Sequence, residues 1–437
     1  MLDAALSVGP TVSWARPIPF EGAGKTTQPL RISWLQFACA TVLVLTVAFN
    51  PLLALVNASV RPVNGSMVAV AQGALVVSAL LLGLYSAKDT AKLWIGVVWM
   101  LALVSLATAA VRMQFDPKSL GDVLLIPAFI LMGMQLGRAT FIRTVLAMQI
   151  AILIFGIWEV YDPGGFGSVF KVAQYYISSR GYNANDFWAG GDLFVSAQRP
   201  HGRFLLASSG LHRGSSLFLE PVSLGNWAIM IALFSAGFWR DLSIKSRIFL
   251  VLSNIALLII CDGRLALGVC LVFLAALPIV RLVPGWISVF YLPLSLLGLS
   301  IARMLGLLAE VGDTFVGRLR YGMEQLSRLT VPRFFAVVDS RIGNEDAGLV
   351  YFIQNQSLPV AVILWIVVTV ASTGETTGGR AFKHGMAIFL VACLPISNAS
   401  LSIKTTALMW ACYGFFYAHA KFAAPDKAKP DAKIAHG

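Results

Sequence analysis

Apolar runs of about 20 residues recur from residue 34 to residue 421, separated by short polar connections and by two long ones. Each run is long enough to cross roughly 30 Å of hydrocarbon as a helix, the form that satisfies its backbone polar groups internally. Twelve spans are predicted, over 34–56, 67–86, 93–111, 121–137, 144–160, 219–238, 247–261, 264–281, 285–302, 347–371, 383–397 and 400–420. The pattern implies an all-α polytopic membrane helix bundle. The breaks at Cys261–Arg264 and Pro395–Ser402 are short; a re-entrant kink at either would change the count and reverse every later span. Residues 1–33 hold Pro10, Pro17 and Pro19 and no apolar core, so they read as a disordered tail and not as a signal peptide. Residues 422–437 read as a second tail.

Composition agrees with this reading. At 57% hydrophobic and 12% charged, 437 residues carry too little charge to cover a soluble surface. The net charge of +12 would suggest nucleic acid as a partner of a soluble protein; here the cations are sorted by membrane face. With the N-terminus in the cytoplasm, 17 of the 33 Lys and Arg fall in cytoplasmic segments, 5 in short outer connections and 11 in the long outer loops. Long loops are largely exempt from the positive-inside rule, so the 17-to-5 split predicts both termini in the cytoplasm and no nucleic-acid partner. The five cysteines, Cys39, Cys261, Cys270, Cys393 and Cys412, lie in or beside apolar runs and form no CxxC pair. Neither a disulfide nor a bound metal is expected, and no dinucleotide or phosphate-loop motif calls for a cofactor.

The long outer loops cover about 161–218 and 303–346. The first opens on the turn signal Asp162-Pro163-Gly164-Gly165 and is rich in aromatics, among them Tyr175, Tyr176, Tyr182 and Trp188. The second contains an interfacial helix with Phe315, Leu319, Met323 and Leu326 on one face and Asp313 as its cap. There is no internal repeat of the kind that builds many transporters.

Chemistry concentrates where these loops meet the apolar runs. Arg199, His201 and Arg203 are followed by His212-Arg213-Gly214 and Glu220-Pro221. Guanidinium groups grip phosphate oxygens with paired hydrogen bonds, and this density of arginine suits a diphosphate. A carboxylate at the hydrocarbon boundary, as at Glu220, is costly and carries a partner or a task. Asp262 and Arg264 either pair across a tight turn or place Arg264 toward the same cavity. The second loop ends in Arg341 and Asp346, and a carboxylate there is a candidate general base.

Taken together, Arg203 to Gly225, with Arg213-Gly214 and Phe218-Leu219-Glu220-Pro221, resembles the R-x-x-G-x-F-x-E-P stretch of Wzy-type polysaccharide polymerases. Cys261-Asp262-Gly263-Arg264-Leu265-Ala266-Leu267 is similar to the S-R-(G/A)-L stretch that polymerases share with O-antigen ligases, with Gly263 in place of the serine. Asp346-Ala347-Gly348 falls where polymerases carry D-x-G and ligases a catalytic histidine pattern. The resemblance covers about 200–370 and implies a GT-C-like, metal-independent membrane glycosyltransferase at the periplasmic face of the bacterial inner membrane, where both long loops would lie.

On that resemblance the substrate is an oligosaccharide repeat unit on undecaprenyl diphosphate, and the product an exopolysaccharide or capsule. Arg203, Arg213, Arg264 and Arg341 bind the departing diphosphate; Arg213 and Arg264 also serve catalysis. Asp346 or Glu220 takes the acceptor proton, and Trp188 and Tyr182 stack on sugars. Expected partners are membrane lipids, a chain-length regulator and an export complex. An O-antigen ligase and a lipid-linked sugar flippase are the rival readings.

Overall fold

The computed structural model describes residues 33–187, 192–197, 203–206, 210–312, 314–338, 347–371 and 376–420. Every regular element among them is helical, and each of the twelve predicted segments overlaps a helix or a helix pair, with α4 and α16 displaced several residues toward the N-terminus. The helices are α1 (Trp34–Ser59), α2 (Gly65–Tyr85), α3 (Lys92–Arg112), α4 (Pro117–Gly133), α5 (Arg138–Tyr161), α6 (Pro163–Phe170), α7 (Val172–Arg180), α8 (Pro221–Phe238), α9 (Ile244–Cys261), α10 (Arg264–Val280), α11 (Tyr291–Met304), α12 (Phe315–Ser327), α13 (Val331–Phe334), α14 (Gly348–Gln356), α15 (Leu358–Val370), α16 (Thr377–Cys393) and α17 (Ile403–Ala420). The tails lie outside the described residues.

Seven helices are long and apolar enough to cross a membrane: α1, α2, α3 with its preceding turn, α5, α8, α9, and α11 with its preceding turn. The count rises to eight if α14 and α15 form one span, although they meet at 114°. The straight span expected over 347–371 is therefore a bent pair. Ser357 sits at the bend with φ 84°, ahead of Pro359 in the first turn of α15. Helices also stand at the other predicted places, but α4, α10 and α16 are 17 residues long, and α17 is less apolar than the seven. The cause is position for α17, whose side chains are buried from Ile403 to Ala418. A helix lined by protein on all sides does not need a lipid-compatible surface.

Helix direction alternates through the bundle. One end gathers the α1–α2 turn, the start of α4, α7, the starts of α8 and α10, and the segment between α16 and α17. There Ser178 bonds Asn57, Arg112 bonds the carbonyls of Ala336 and Gln354, and Lys404 pairs with Glu220. The other end gathers the starts of α1, α5 and α9 and the end of α2. There Trp34 meets Tyr85, Gln135 bonds the carbonyls of Gly83 and Ser86, and Arg138 pairs with Asp241 at 2.8 Å. Both short breaks are true reversals. A Cβ on Gly225, near the start of α8, would touch Ala266, near the start of α10. Farther along both helices, Leu233 and Phe273 flank Gly385.

The centre is α4 against α17, packed backbone to backbone. A Cβ at Gly133 would stand 2.1 Å from the Ala411 carbonyl oxygen, and one at Gly414 would stand 1.9 Å from that of Ile130. Phe141, Phe234, Phe238, Phe415 and Phe416 close the core beside them. A buried polar tie joins three spans: Gln149 on α5 donates to Ser253 on α9 and accepts from Trp227 on α8, at 2.9 and 2.8 Å.

The first long loop holds more structure than its glycine-rich sequence suggests. Asp162 accepts the Gly165 N–H at 2.8 Å and Pro163 opens α6, so the turn signal is the cap of a helix. In the second loop the expected interfacial helix is α12. Its cap is Thr314, which accepts the Gly317 N–H at 3.0 Å; Asp313 lies outside the described residues. Only Met323 of the four predicted apolar residues is fully buried, and Phe315 is exposed. Gly322 lets α12 dock, because a Cβ there would stand 1.8 Å from the Pro395 carbonyl oxygen. Gly322→Ala is expected to lift α12 and cost about 1–3 kcal/mol. The measurement is limited proteolysis of 303–346 in detergent, which should quicken; an unchanged cleavage rate would show that the contact yields freely.

Candidate functional site

Residues 203–206 and 210–216 form a strap around the C-terminal end of α9. A helix leaves its last carbonyls without intrahelical partners and carries partial negative charge there. The strap satisfies three in succession. Arg203 donates to the Ile259 carbonyl, the Gly214 N–H to Ile260 at 2.9 Å, and Arg213 Nε to Cys261 at 2.9 Å. Arg203 also reaches the Leu205 and His212 carbonyls, and Arg213 reaches that of Ser196. A side chain at Gly214 would run into Ile260, 2.5 Å from its Cβ position, so close approach requires glycine. Asp262, in a left-handed conformation just past α9, accepts the N–H groups of Phe204 and Leu205 at 3.0 and 2.6 Å.

The strap is anchored from below by Glu159, which the sequence reading did not single out. This carboxylate sits fully buried near the end of α5. It accepts the Ser215 and Ser216 N–H groups, each at 2.6 Å, and the Ser215 hydroxyl at 2.9 Å. The chain then makes a tight turn, with Ser216 and Leu219 at positive φ, and enters α8 at Pro221. His212 is buried beside Arg203, and burial first and that guanidinium second lower its pKa, so the imidazole stays neutral.

Glu220 stands at the mouth of α8, but its carboxylate does not cap the helix. It accepts the Ser223 hydroxyl at 2.8 Å and forms an ion pair with Lys404, at the start of α17. Leu219 buries into an aromatic cluster containing Tyr175, Tyr176 and Phe194, with Tyr182 and Phe187 packed against it. Arg180, at the end of α7, lies over the Tyr176 ring at 4.9 Å. Arg180 and Lys404 both act electrostatically on Glu220.

Arg264 is exposed at the first position of α10, with its guanidinium over the Phe204 ring at 6.0 Å. It does not pair with Asp262, whose carboxylate is turned to the strap. Gly225 and Gly263 bring the starts of α8 and α10 together, which sets Arg264 and Glu220 at the same end of the bundle.

The structure thus brings Arg203, Arg213, Glu220, Arg264 and Tyr182 to one end, but Arg203 and Arg213 have their donors turned to backbone carbonyls. Trp188, Arg341 and Asp346 lie outside the described residues. The residues that the sequence analysis does not assign to the site are Glu159, Arg180 and Lys404. Of these, only Lys404, close after Pro395–Ser402, gave a signal, as a lone cation entering an apolar run. Among the described residues no group of histidine, cysteine and carboxylates is arranged to hold a metal.

Compared with protein-family models, curated proteins and solved structures, the chain gives no match.

Proposed function

We propose that this is a polytopic membrane glycosyltransferase that joins lipid-diphosphate-linked oligosaccharide repeat units at the outer face of the bacterial inner membrane. The observation that carries the proposal is the meeting, at one end of the bundle, of a strapped re-entrant turn, an exposed Arg264 and the Glu220–Lys404 pair. Cations and a carboxylate beside a hydrocarbon boundary suit an anionic headgroup whose sugar projects into water. The twelve-span, GT-C-like arrangement and the periplasmic placement of both long loops belong to the same proposal.

In the reaction an acceptor hydroxyl attacks the anomeric carbon of the donor unit. The bond from that carbon to the diphosphate oxygen breaks, the lipid diphosphate leaves with the electron pair, and the hydroxyl proton passes to a carboxylate. Arg264 stabilises the charge that grows on the leaving group. Arg203 and Arg213 act one step removed, by holding the strap that sets Glu220. A carboxylate already bound to an ammonium is a poor proton acceptor, so Asp346 is the better base and Glu220 the fixed counter-charge. Tyr182 offers a face to a sugar ring.

The test is the lipid-linked pool in cells that lack the protein. Single repeat units should accumulate on the carrier at the outer face, and long chains should vanish. Long chains stranded on the carrier would make the protein a ligase, and repeat units trapped on the inner face would make it a flippase. Arg264→Ala should reproduce the loss, with roughly a 30- to 1000-fold lower rate from one missing contact to the leaving group.

A further inference from the structure

Three groups around Glu220 have donor capacity that the fold does not use up. Arg180 is exposed, and among the described residues its guanidinium makes no salt bridge; it lies over the Tyr176 ring and acts electrostatically on Glu220. The Tyr176 hydroxyl is fully buried and has no hydrogen-bond partner among the described residues. A buried O–H without an acceptor is destabilising, and such a group calls for an occupant. Lys404 has three donors on its ammonium and is ion-paired with Glu220.

These groups come from different parts of the chain and are held by packing. Tyr176 and Leu219 share one aromatic cluster, which sets the Glu220 backbone beside α7. The Tyr175 hydroxyl, bonded to Asn50 at 3.0 Å, ties α7 to α1. Ser223 and Lys404 fix the Glu220 carboxylate from α8 and α17. The result is two cations and an unpaired hydroxyl around one carboxylate, at the end of the bundle where the strap turns inward.

We propose that Arg180, Lys404 and the Tyr176 hydroxyl, arranged around Glu220, form the seat of a phosphate-bearing headgroup, a diphosphate monoester such as that of a prenyl lipid. Arg180 supplies a planar fork to two phosphate oxygens, Tyr176 donates to a third, and Lys404 turns its remaining donors outward. Glu220 holds Lys404 in place while the seat is empty and opposes the anion when it is filled. This assignment moves headgroup binding away from Arg203 and Arg213, each of which already donates to backbone carbonyls of the strap and α9. It rests on the polymerase reading for the identity of the carrier lipid, not for the seat itself.

The experiment measures binding of inorganic pyrophosphate and of farnesyl diphosphate to the purified full-length protein in detergent. Arg180→Gln should raise Kd for both probes about tenfold, the equivalent of one charge-assisted contact. Tyr176→Phe keeps the ring under Arg180 and should raise both several-fold. Glu220→Gln keeps the hydrogen bonds to Ser223 and Lys404 but removes the opposing charge, so it should lower Kd for both. If the unmodified protein binds farnesyl diphosphate more tightly than pyrophosphate, the seat takes a lipid-borne headgroup; equal affinities assign it to free diphosphate. Unchanged affinity in Arg180→Gln, or weaker binding in Glu220→Gln, overturns the seat. Because binding is read without turnover, a protein that binds as expected but makes no polymer would remove the polymerase reading and leave the site standing.

Discussion

Glu159→Leu is expected to destabilise the protein by about 3–6 kcal/mol. The leucine fills most of the volume but accepts no hydrogen bond. The Ser215 N–H, the Ser216 N–H and the Ser215 hydroxyl then lose their acceptor inside the protein, where water does not replace it. Each orphaned buried donor costs about 1–3 kcal/mol, and removal of a buried carboxylate offsets part of the sum. The damage should spread along the chain, because Arg213 and Gly214 lie on the same strap and satisfy the end of α9. Glu159→Gln keeps one carbonyl acceptor and should lose about half as much. Thermal midpoints of the purified variants in detergent provide the measurement. A leucine variant that melts with the unmodified protein would show that Glu159 does not anchor the strap.

Lys404→Met should cost about 2–4 kcal/mol. Removing one partner of a buried ion pair leaves the other charge uncompensated, typically for about 3–5 kcal/mol. The Glu220 side chain keeps 21% of its surface open, against 7% for Lys404, so water recovers part of that loss. The pairing makes a sharper forecast than either residue alone. Adding Glu220→Gln to Lys404→Met removes the stranded charge, and the double variant should be more stable than Lys404→Met. A double-mutant cycle measures this coupling. Strict additivity of the two changes would mean that the pair does not hold α8 to α17.

Much of the fold was legible in the sequence. The apolar runs mark the helices from Trp34 to Ala420 because length and hydropathy are local properties, read one segment at a time. The reversals at Asp262 and around Pro395–Ser402 were legible as breaks, since polar residues interrupt an apolar run there. The bend at Ser357 is marked by the polar run Gln354-Asn355-Gln356-Ser357 ahead of Pro359, but hydropathy carries no sign of direction, so the sequence did not tell a sharp bend from a continuous span. The enclosure of α17 by protein was hidden as well, because a run does not show from its own residues whether lipid or protein surrounds it.

The candidate site divides along the same line. That cations and a carboxylate gather at one end of the bundle follows from the sequence, because spans of fixed length force the charged connections to the two ends. Which of those cations are spoken for does not follow. Arg203 and Arg213 share a short loop and looked like a phosphate grip, yet α9 ends beneath them and its bare carbonyls claim their donors. Arg180 looked like an ordinary loop cation and Lys404 like a residue of a short connection, yet packing of α7, α8 and α17 sets both around Glu220. The sequence by itself determined the helices, their approximate ends and the end of the bundle where charge collects. Only the tertiary structure decided which polar groups are satisfied and which are left open, because hydrogen bonds and ion pairs between distant segments depend on how the helices pack.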